Sequence, residues 1–304
     1  MLDVRVLIAV VKGLLTYIPG VEAWITHRKR ASRHSCSDPM FCYNLWLSMP
    51  VFLHEQNIIP DLSNIGELGT SGSLGVGICA LLSGAGHYTA LDVVDSYANH
   101  DQEYFLSEIV KLFRDETPLY EDKRINIKLK SYDYPKHLLN LIISDEVIKN
   151  IRSDIHNIRA NYEGKLISTC VPWHTKPDQK YSFIFSRAVL EHVSFPNEVY
   201  ISISEVLLPN AIAYHDIELH SHGISREANG HWFINDFLWK LIIGNRVNYM
   251  NRFTFYDHVN AMREYFDVIH ASENKSQTIL DDESMDSVWG CVIICQNKKK
   301  DRGL

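Results

Sequence analysis

The chain has 304 residues, of which 46% are hydrophobic and 22% charged, and its formal net charge at pH 7 is −7. This length is enough for one sizeable core, and the composition is that of an ordinary globular protein, which excludes a disordered or fibrous chain. The mildly acidic charge offers no overall attraction to nucleic acid, so we expect no nucleic-acid partner.

The six cysteines are scattered along the chain and never form a C-x-x-C pair. We therefore expect buried, reduced thiols and a cytoplasmic protein rather than a zinc or disulfide framework. No segment has the roughly eighteen uncharged apolar residues that cross a bilayer, and no cleavable leader stands out. We expect neither membrane insertion nor secretion.

The first sixty residues predict two helices. Residues 2–17 carry apolar positions at helical spacing until Pro19-Gly20 ends the pattern, and residues 39–56 form a second helical pattern rich in aromatic side chains. Between them, residues 27–34 form a basic run of the kind that usually lies in a solvated loop.

A glycine-rich turn then joins an apolar strand to an apolar helix. The turn runs from Glu67 to Gly72, and residues 76–82 follow at helix-like spacing. A second apolar run ends on Asp92, about twenty residues after the first glycine, where nucleotide-binding α/β folds place a carboxylate on ribose hydroxyls. The sequence therefore predicts a nucleotide-type pocket between two parallel strands.

The order of the glycines bears on which nucleotide is bound. A dinucleotide fingerprint requires G-x-G-x-x-G at such a turn, whereas this chain has Gly69, Gly72 and Gly75. Glu67, just before the turn, suits a ligand with positive charge better than a phosphate. A dinucleotide site is thereby weakened and stays an alternative.

Two motifs in this order resemble those of the class I S-adenosylmethionine-dependent methyltransferases. The turn from Glu67 to Gly72 resembles their first motif, and residues 181–193 with residues 205–210 resemble the fourth strand and the helix and turn after it. The resemblance implies an α/β, Rossmann-like fold with a seven-stranded, mostly parallel sheet flanked by helices and an antiparallel strand near the C-terminus. It also implies S-adenosylmethionine as the cofactor.

The same resemblance implies roles for individual residues. It places Asp92 on the ribose hydroxyls, and Ser186 with Arg187 beside the methionine moiety. The residues at the amino-acid end of the cofactor are Glu67, Gly69, Thr70 and Gly72. The loop after the third strand covers the adenine, for which Trp173 or Val171 offers an apolar face.

The resemblance also implies how the chain is divided. Residues 1–60 become an N-terminal helical extension that caps the cleft, and residues 61–304 become the methyltransferase domain. The stretch from residue 117 to 164 exceeds an ordinary connection, and its spacing over residues 138–158 predicts an inserted helical subdomain. Residues 223–250 are a second insertion, whose aromatic part is a candidate lid.

Methyl transfer to a hydroxyl requires a group that takes the proton, and histidine titrates near neutral pH. His192 follows the fourth strand, and His215 follows a fifth strand predicted over residues 211–214. His222 lies beyond it with His220 and Glu218, a composition that also suits a metal. The spacing matches no known zinc signature, so we expect a base among His215, His222 and His192 and no metal.

We therefore expect a methyltransferase that acts on a hydroxyl of a small molecule, such as a sugar or another secondary metabolite. Three alternatives stay open. They are an N-methyltransferase, a catalytically silent protein of the same fold that binds a partner, and an NAD(P)-dependent oxidoreductase.

Overall fold

The computed structural model describes residues 3–21, 38–175, 179–246, 249–280 and 283–298, so the basic run of residues 27–34 lies outside the described residues. The strands are β1 (Ile65–Leu68), β2 (Tyr88–Leu91), β3 (Ile167–Cys170), β4 (Tyr181–Arg187), β5 (Leu207–Glu218), β6 (Phe266–Leu280) and β7 (Glu283–Asn297). The α-helices are α1 (Val4–Leu15), α2 (Pro39–Glu55), α3 (Gly75–Leu82), α4 (Gln102–Arg114), α5 (Asp145–His156), α6 (Pro196–Val206), α7 (Asp236–Ile243) and α8 (Phe255–Tyr265).

The strands form one sheet in the order β3-β2-β1-β4-β5-β7-β6. Strands β1 to β5 are parallel, and β7 runs antiparallel between β5 and β6. The fold predicted by the resemblance to class I methyltransferases is confirmed. The connection direction reverses between β1 and β4, and open sheets of this kind hold ligands outside the carboxyl ends of the strands at such a point.

Both faces of the sheet are covered, so side chains on either face of a strand are buried. All four residues of β1, of β2 and of β3 are buried. One face packs against α2, α3 and α4, with Trp46 and Phe105 in the core, and the other against α6 and α8, with Tyr200 and Met262. The aromatic side chains of α2 are therefore part of the main core.

Helix α1 packs on α7, away from the sheet. Val6, Val10 and Trp239 belong to a separate small cluster, and Gly13 lets the backbones approach, because a Cβ there would lie 1.9 Å from the carbonyl oxygen of Leu241. None of the helices in the described ranges is long and apolar enough to cross a membrane. The division at residue 60 stays a prediction.

The stretch from residue 117 to 164 differs from the sequence-based expectation. Its α-helix begins at Asp145 rather than near residue 138, because Ser144 caps the helix by accepting the N–H of Val147 at 3.2 Å. Before it the chain is largely irregular and packs on the main core through Leu119 and Ile125. This irregular part crosses the carboxyl edge of the sheet and so reaches the site.

Candidate functional site

A cavity of about 770 Å³ lies at the carboxyl edge of β1, β2 and β4. Its wall includes Gly69, Asp92, Arg187 and His192, each at or just after the end of one of these strands. The volume is within the range of about 300–1,000 Å³ that small-molecule sites occupy. The structure thus brings four of the residues predicted from the sequence to one cavity.

The glycine-rich turn after β1 has two structural parts. Gly69 has φ +79° and lines the cavity together with Ser71, which has φ +55°. Gly72 has φ +84°, but a Cβ there would lie 2.4 Å from the carbonyl oxygen of Ser96. Gly72 is therefore required by the close approach of another backbone segment, whereas Gly69 exposes its backbone to the cavity.

Asp92 fixes the turn and lines the cavity at the same time. Its Oδ2 accepts hydrogen bonds from the hydroxyl and the backbone N–H of Thr70 at 2.5 and 3.1 Å. Burial raises the pKa of Asp92 to about 6, although its hydrogen bonds act in the opposite direction. Thr70 is fully buried behind the carboxylate, so its role in this structure is to hold the turn.

The side chain of Glu67, on β1, is buried in the core and directed away from the cavity. Its side chain is 5% exposed, and its Oε2 accepts a 2.6 Å hydrogen bond from the hydroxyl of Tyr88 on β2. The described residues that line the cavity do not include it. The alternation of side chains along a strand directs Glu67 and Leu68 to opposite faces, and Leu68 is the one that lines the cavity.

Ser186 and His215 form a buried pair rather than part of the cavity wall. The register of β4 on β5 places them side by side, and Ser186 Oγ lies 2.8 Å from His215 Nδ1. Burial, with a smaller effect of His258, lowers the pKa of His215 to about 3. A neutral imidazole that is 1% exposed has no access to an acceptor, so the structure does not support His215 as the base.

Arg187, the next residue on β4, faces the cavity. Its Nη2 lies 2.5 Å from Glu218 Oε1, and its Nε donates to the backbone carbonyl of Arg124 at 3.0 Å. Asp216 accepts hydrogen bonds from Asn126 at 2.6 and 3.0 Å. These contacts fasten the irregular segment after α4 to the sheet edge and bring Arg124 into the cavity wall.

His192 and His222 lie beside the same cavity edge. The two ring centroids are 5.1 Å apart, and His192 itself lines the cavity. His192 Nδ1 lies 2.7 Å from the carbonyl oxygen of Tyr249, which requires that Nδ1 carries the proton. Glu218 Oε2 lies 3.7 Å from His222 Nε2 and 3.8 Å from His220 Nδ1.

Charge in this cluster is set by burial and by close neighbours. Burial raises the pKa of Glu191 well above its usual value, and Glu218 raises it further. Burial alone would raise the pKa of Glu218 too, but Arg187 and the histidines outweigh it and hold that pKa low. Burial, then His220, lowers the pKa of His222 to about 4. A buried Glu191 and a largely buried Glu218 thus lie beside three imidazoles that are partly open to solvent.

Two aromatic side chains contribute to the cavity wall. Trp173, 6% exposed, lies in a short 3₁₀ turn (Trp173–Thr175) after β3, and Phe195, 66% exposed, precedes α6. Both line the cavity, whereas Val171 is buried in the main core. Of the two side chains predicted to cover an adenine, the structure brings Trp173 to the cavity.

Several wall residues had no signal in the sequence analysis. Arg124 lies in an irregular stretch without a motif, and Phe195 and Ser71 occupy turn positions that many residue types accept. Glu191 was visible only as part of the pattern around His192. Glu218 was named with His220 and His222 because it follows a strand end, whereas Arg124 follows no strand and was not found.

No protein-family model matches the sequence, and no curated protein matches it. The chain is similar to the N-methyltransferase NodS from Bradyrhizobium japonicum, in complex with S-adenosyl-L-homocysteine, at 9% identity over 82% of this chain and 84% of that one, with a TM-score of 0.38. It is similar to a SAM-dependent methyltransferase from Methanosarcina mazei at 13% identity over 81% and 97%, with a TM-score of 0.40. It is also similar to a complex of the Haloferax volcanii Trm112 methyltransferase activator and a putative methyltransferase, at 13% identity over 84% and 97%, with a TM-score of 0.41.

Proposed function

We propose that this chain transfers a methyl group from S-adenosylmethionine to a hydroxyl of a small molecule. The observation that carries the proposal is the cavity of about 770 Å³ at the carboxyl edge of β1 and β2, where Gly69 and Asp92 share one wall. In an open parallel sheet, this is the position at which a nucleoside ligand meets a glycine turn and a carboxylate.

The cavity wall offers groups suited to each part of the cofactor. Asp92 offers a carboxylate to the ribose hydroxyls, and Trp173 offers a flat apolar surface to the adenine. The guanidinium of Arg124, also in the wall, is complementary to the carboxylate of the methionine moiety. In this proposal the methyl group faces the part of the wall formed by His192 and Glu218.

The reaction requires alignment and removal of one proton. The bond from sulfur to the methyl carbon breaks and its electron pair returns to sulfur, while the acceptor oxygen forms the new bond to carbon. The hydroxyl proton passes to solvent at the part of the wall formed by His192 and Glu218, which line the cavity. His215 takes no part, because it is buried against Ser186.

The test is turnover with a methyl-labelled cofactor. The purified chain is incubated with labelled S-adenosylmethionine and a panel of sugars, phenols and amines, and S-adenosylhomocysteine formation is measured with NADH binding in parallel. We expect labelled product from a hydroxyl acceptor, less of it with Asp92→Ala, and no NADH binding. Binding of NADH without binding of S-adenosylmethionine would refute the proposal in favour of an oxidoreductase, and product from amines alone would refute the O-methyl assignment.

A further inference from the structure

We propose that Glu191, His192, Glu218, His220 and His222 bind one divalent first-row transition metal ion at the wall of the cavity. We call these five residues the His–Glu cluster. The metal site itself follows from the geometry of the cluster, and only its catalytic role rests on the proposed methyl transfer.

The donor atoms of the cluster form two groups that share His222. Glu191, His192 and His222 form one group whose donor atoms all lie within 4.8 Å of one another, and Glu218, His220 and His222 form a second. His222 belongs to both groups, so the two are continuous.

The separations inside the cluster fit donors that share a cation. The three nitrogen-to-oxygen distances are 3.7, 3.8 and 4.0 Å, longer than hydrogen bonds. Two donors that are each about 2.1 Å from one cation lie about 3.0 to 4.2 Å apart, depending on the angle between them. The three distances fall within that range, so the geometry of each pair fits two donors on one cation.

Buried polar atoms in the cluster lack partners among the described residues. Both carboxylate oxygens of Glu191 are buried without a hydrogen bond, and so is Nδ1 of His220. Glu191 is only 2% exposed. Buried polar groups are nearly always satisfied, and a buried carboxylate needs a counter-charge, which a bound cation supplies.

Neighbouring groups orient the remaining donors. Nδ1 of His192 is directed at the carbonyl oxygen of Tyr249, which leaves Nε2 as the nitrogen with a lone pair. Oε1 of Glu218 pairs with Arg187, so Oε2 is the oxygen that faces the histidines. Metal-binding histidines usually have this arrangement, with the second nitrogen bonded to a carbonyl or carboxylate.

The ring of His220 is also fixed in place. It stacks on Trp289 of β7 with a centroid distance of 4.3 Å and an interplanar angle of 9°, and its centroid is 4.2 Å from that of His222. This packing positions Nδ1 of His220 near Glu218 before any ion binds. Preorganised donors reduce the entropy cost of binding.

The donor set indicates the class of metal. Three imidazoles with two carboxylates suit manganese, iron, cobalt, nickel or zinc, whereas magnesium and calcium prefer oxygen donors alone. Binding of the ion displaces the proton that the raised pKa leaves on Glu191, and the two carboxylate charges then match the charge of a dication. Because His192 and Glu218 line the cavity, an acceptor hydroxyl that enters it can bind the cation, which lowers the hydroxyl pKa so that its proton passes to water.

The test measures metal binding directly. The full chain, without an affinity tag, is stripped with chelator and titrated with Co²⁺ by visible absorption and with Zn²⁺ and Mn²⁺ by calorimetry. We expect one ion per chain, a higher melting temperature with metal, and at least a tenfold loss of Co²⁺ affinity in Glu191→Gln and in His222→Gln. His156→Gln, an exposed histidine on α5, is the matched control and should bind Co²⁺ as the wild type does.

Two results would overturn the metal site: a wild-type chain that binds none of the three ions, or Co²⁺ affinities in Glu191→Gln and His222→Gln equal to that of the wild type. If one variant fails to fold, the other variant and the metal-dependent melting of the wild type still decide. Binding of S-adenosylmethionine by the metal-free chain is measured separately. Its absence refutes the proposed function, whereas its presence without metal binding refutes the metal site alone.

Discussion

Replacement of Asp92 by alanine is the substitution with the clearest expected effect on cofactor binding. In the free chain, Oδ2 accepts two hydrogen bonds from Thr70, and the carboxylate lines the cavity. Two ribose hydroxyls bound to this carboxylate contribute about 1.5 kcal/mol or more each, because the acceptor is charged. Their loss amounts to about 3 kcal/mol, or about a hundredfold in affinity.

Calorimetric titration with S-adenosylhomocysteine near neutral pH measures this loss. Thr70→Val is the matched variant, because it removes a hydrogen bond to the same carboxylate and leaves the carboxylate in the cavity. We expect Thr70→Val to weaken binding much less than Asp92→Ala does. A folded Asp92→Ala protein with wild-type affinity would refute the ribose role, and equal losses in both variants would show that Asp92 acts through the turn alone.

The same carboxyl group predicts a pH dependence. Since the pKa of Asp92 is about 6, the group takes up a proton below that pH, and we expect cofactor affinity to fall about tenfold by about pH 5. For the free energy of unfolding of the chain without cofactor, the pH dependence due to Asp92 has the opposite sign. The folded state holds this proton more tightly than the unfolded chain, so the contribution of Asp92 to stability decreases as pH rises from about 3.8 to about 6. Asp92→Asn should remove both effects, and an unchanged pH profile in that variant would contradict this assignment.

Two further substitutions test the turn and the buried histidine. A Cβ at Gly72 would meet the backbone of Ser96, whereas a Cβ at Gly20, which has φ +85°, would meet nothing within 4 Å. We therefore expect Gly72→Ala to lower the melting temperature clearly more than Gly20→Ala does. Equal decreases would contradict the close approach at Gly72. His215 is neutral in the folded chain, so its contribution to stability is present above pH 6.5 and is lost as pH falls towards about 3. We expect His215→Asn to reduce the slope of unfolding free energy against pH in this range by about 1.4 kcal/mol per pH unit, with cofactor affinity unchanged. Weaker cofactor binding would contradict the position of His215 outside the cavity.

The parts of the site that the sequence analysis located are those set by local order along the chain. Asp92 and Arg187 each come at the end of a parallel strand, and carboxyl ends of parallel strands meet at one edge. The position of Gly69 could be predicted because a turn must connect the end of β1 to the helix after it. These residues could be assigned to the cavity because the spacing in sequence determines their position.

His215 could not be placed correctly from local order. We expected a strand over residues 211–214, but β5 continues to Glu218 because β7 pairs with it, with His215 opposite Ile293. The extra residues turn His215 into a strand residue that faces the core. That pairing joins segments about eighty residues apart, and no pattern near His215 indicates it.

Local order along the chain also does not determine where the side chains of Arg124 and Glu67 lie. Arg124 reaches the cavity because Asp216 and Arg187 hold its segment across the sheet edge, through contacts between distant parts of the chain. Glu67 matches the motif, but its side chain points to the face of the sheet where Tyr88 binds it. A motif specifies a backbone turn, and the strand alternation then decides which side chains reach the ligand.

The most direct test of the account is a crystal structure with S-adenosylhomocysteine. We predict density for the ligand in the cavity of about 770 Å³, with its ribose hydroxyls on Asp92, its adenine against Trp173 and its sulfur facing His192. A ligand bound elsewhere on the chain, or a saturating concentration that leaves this cavity without ligand density, would contradict it.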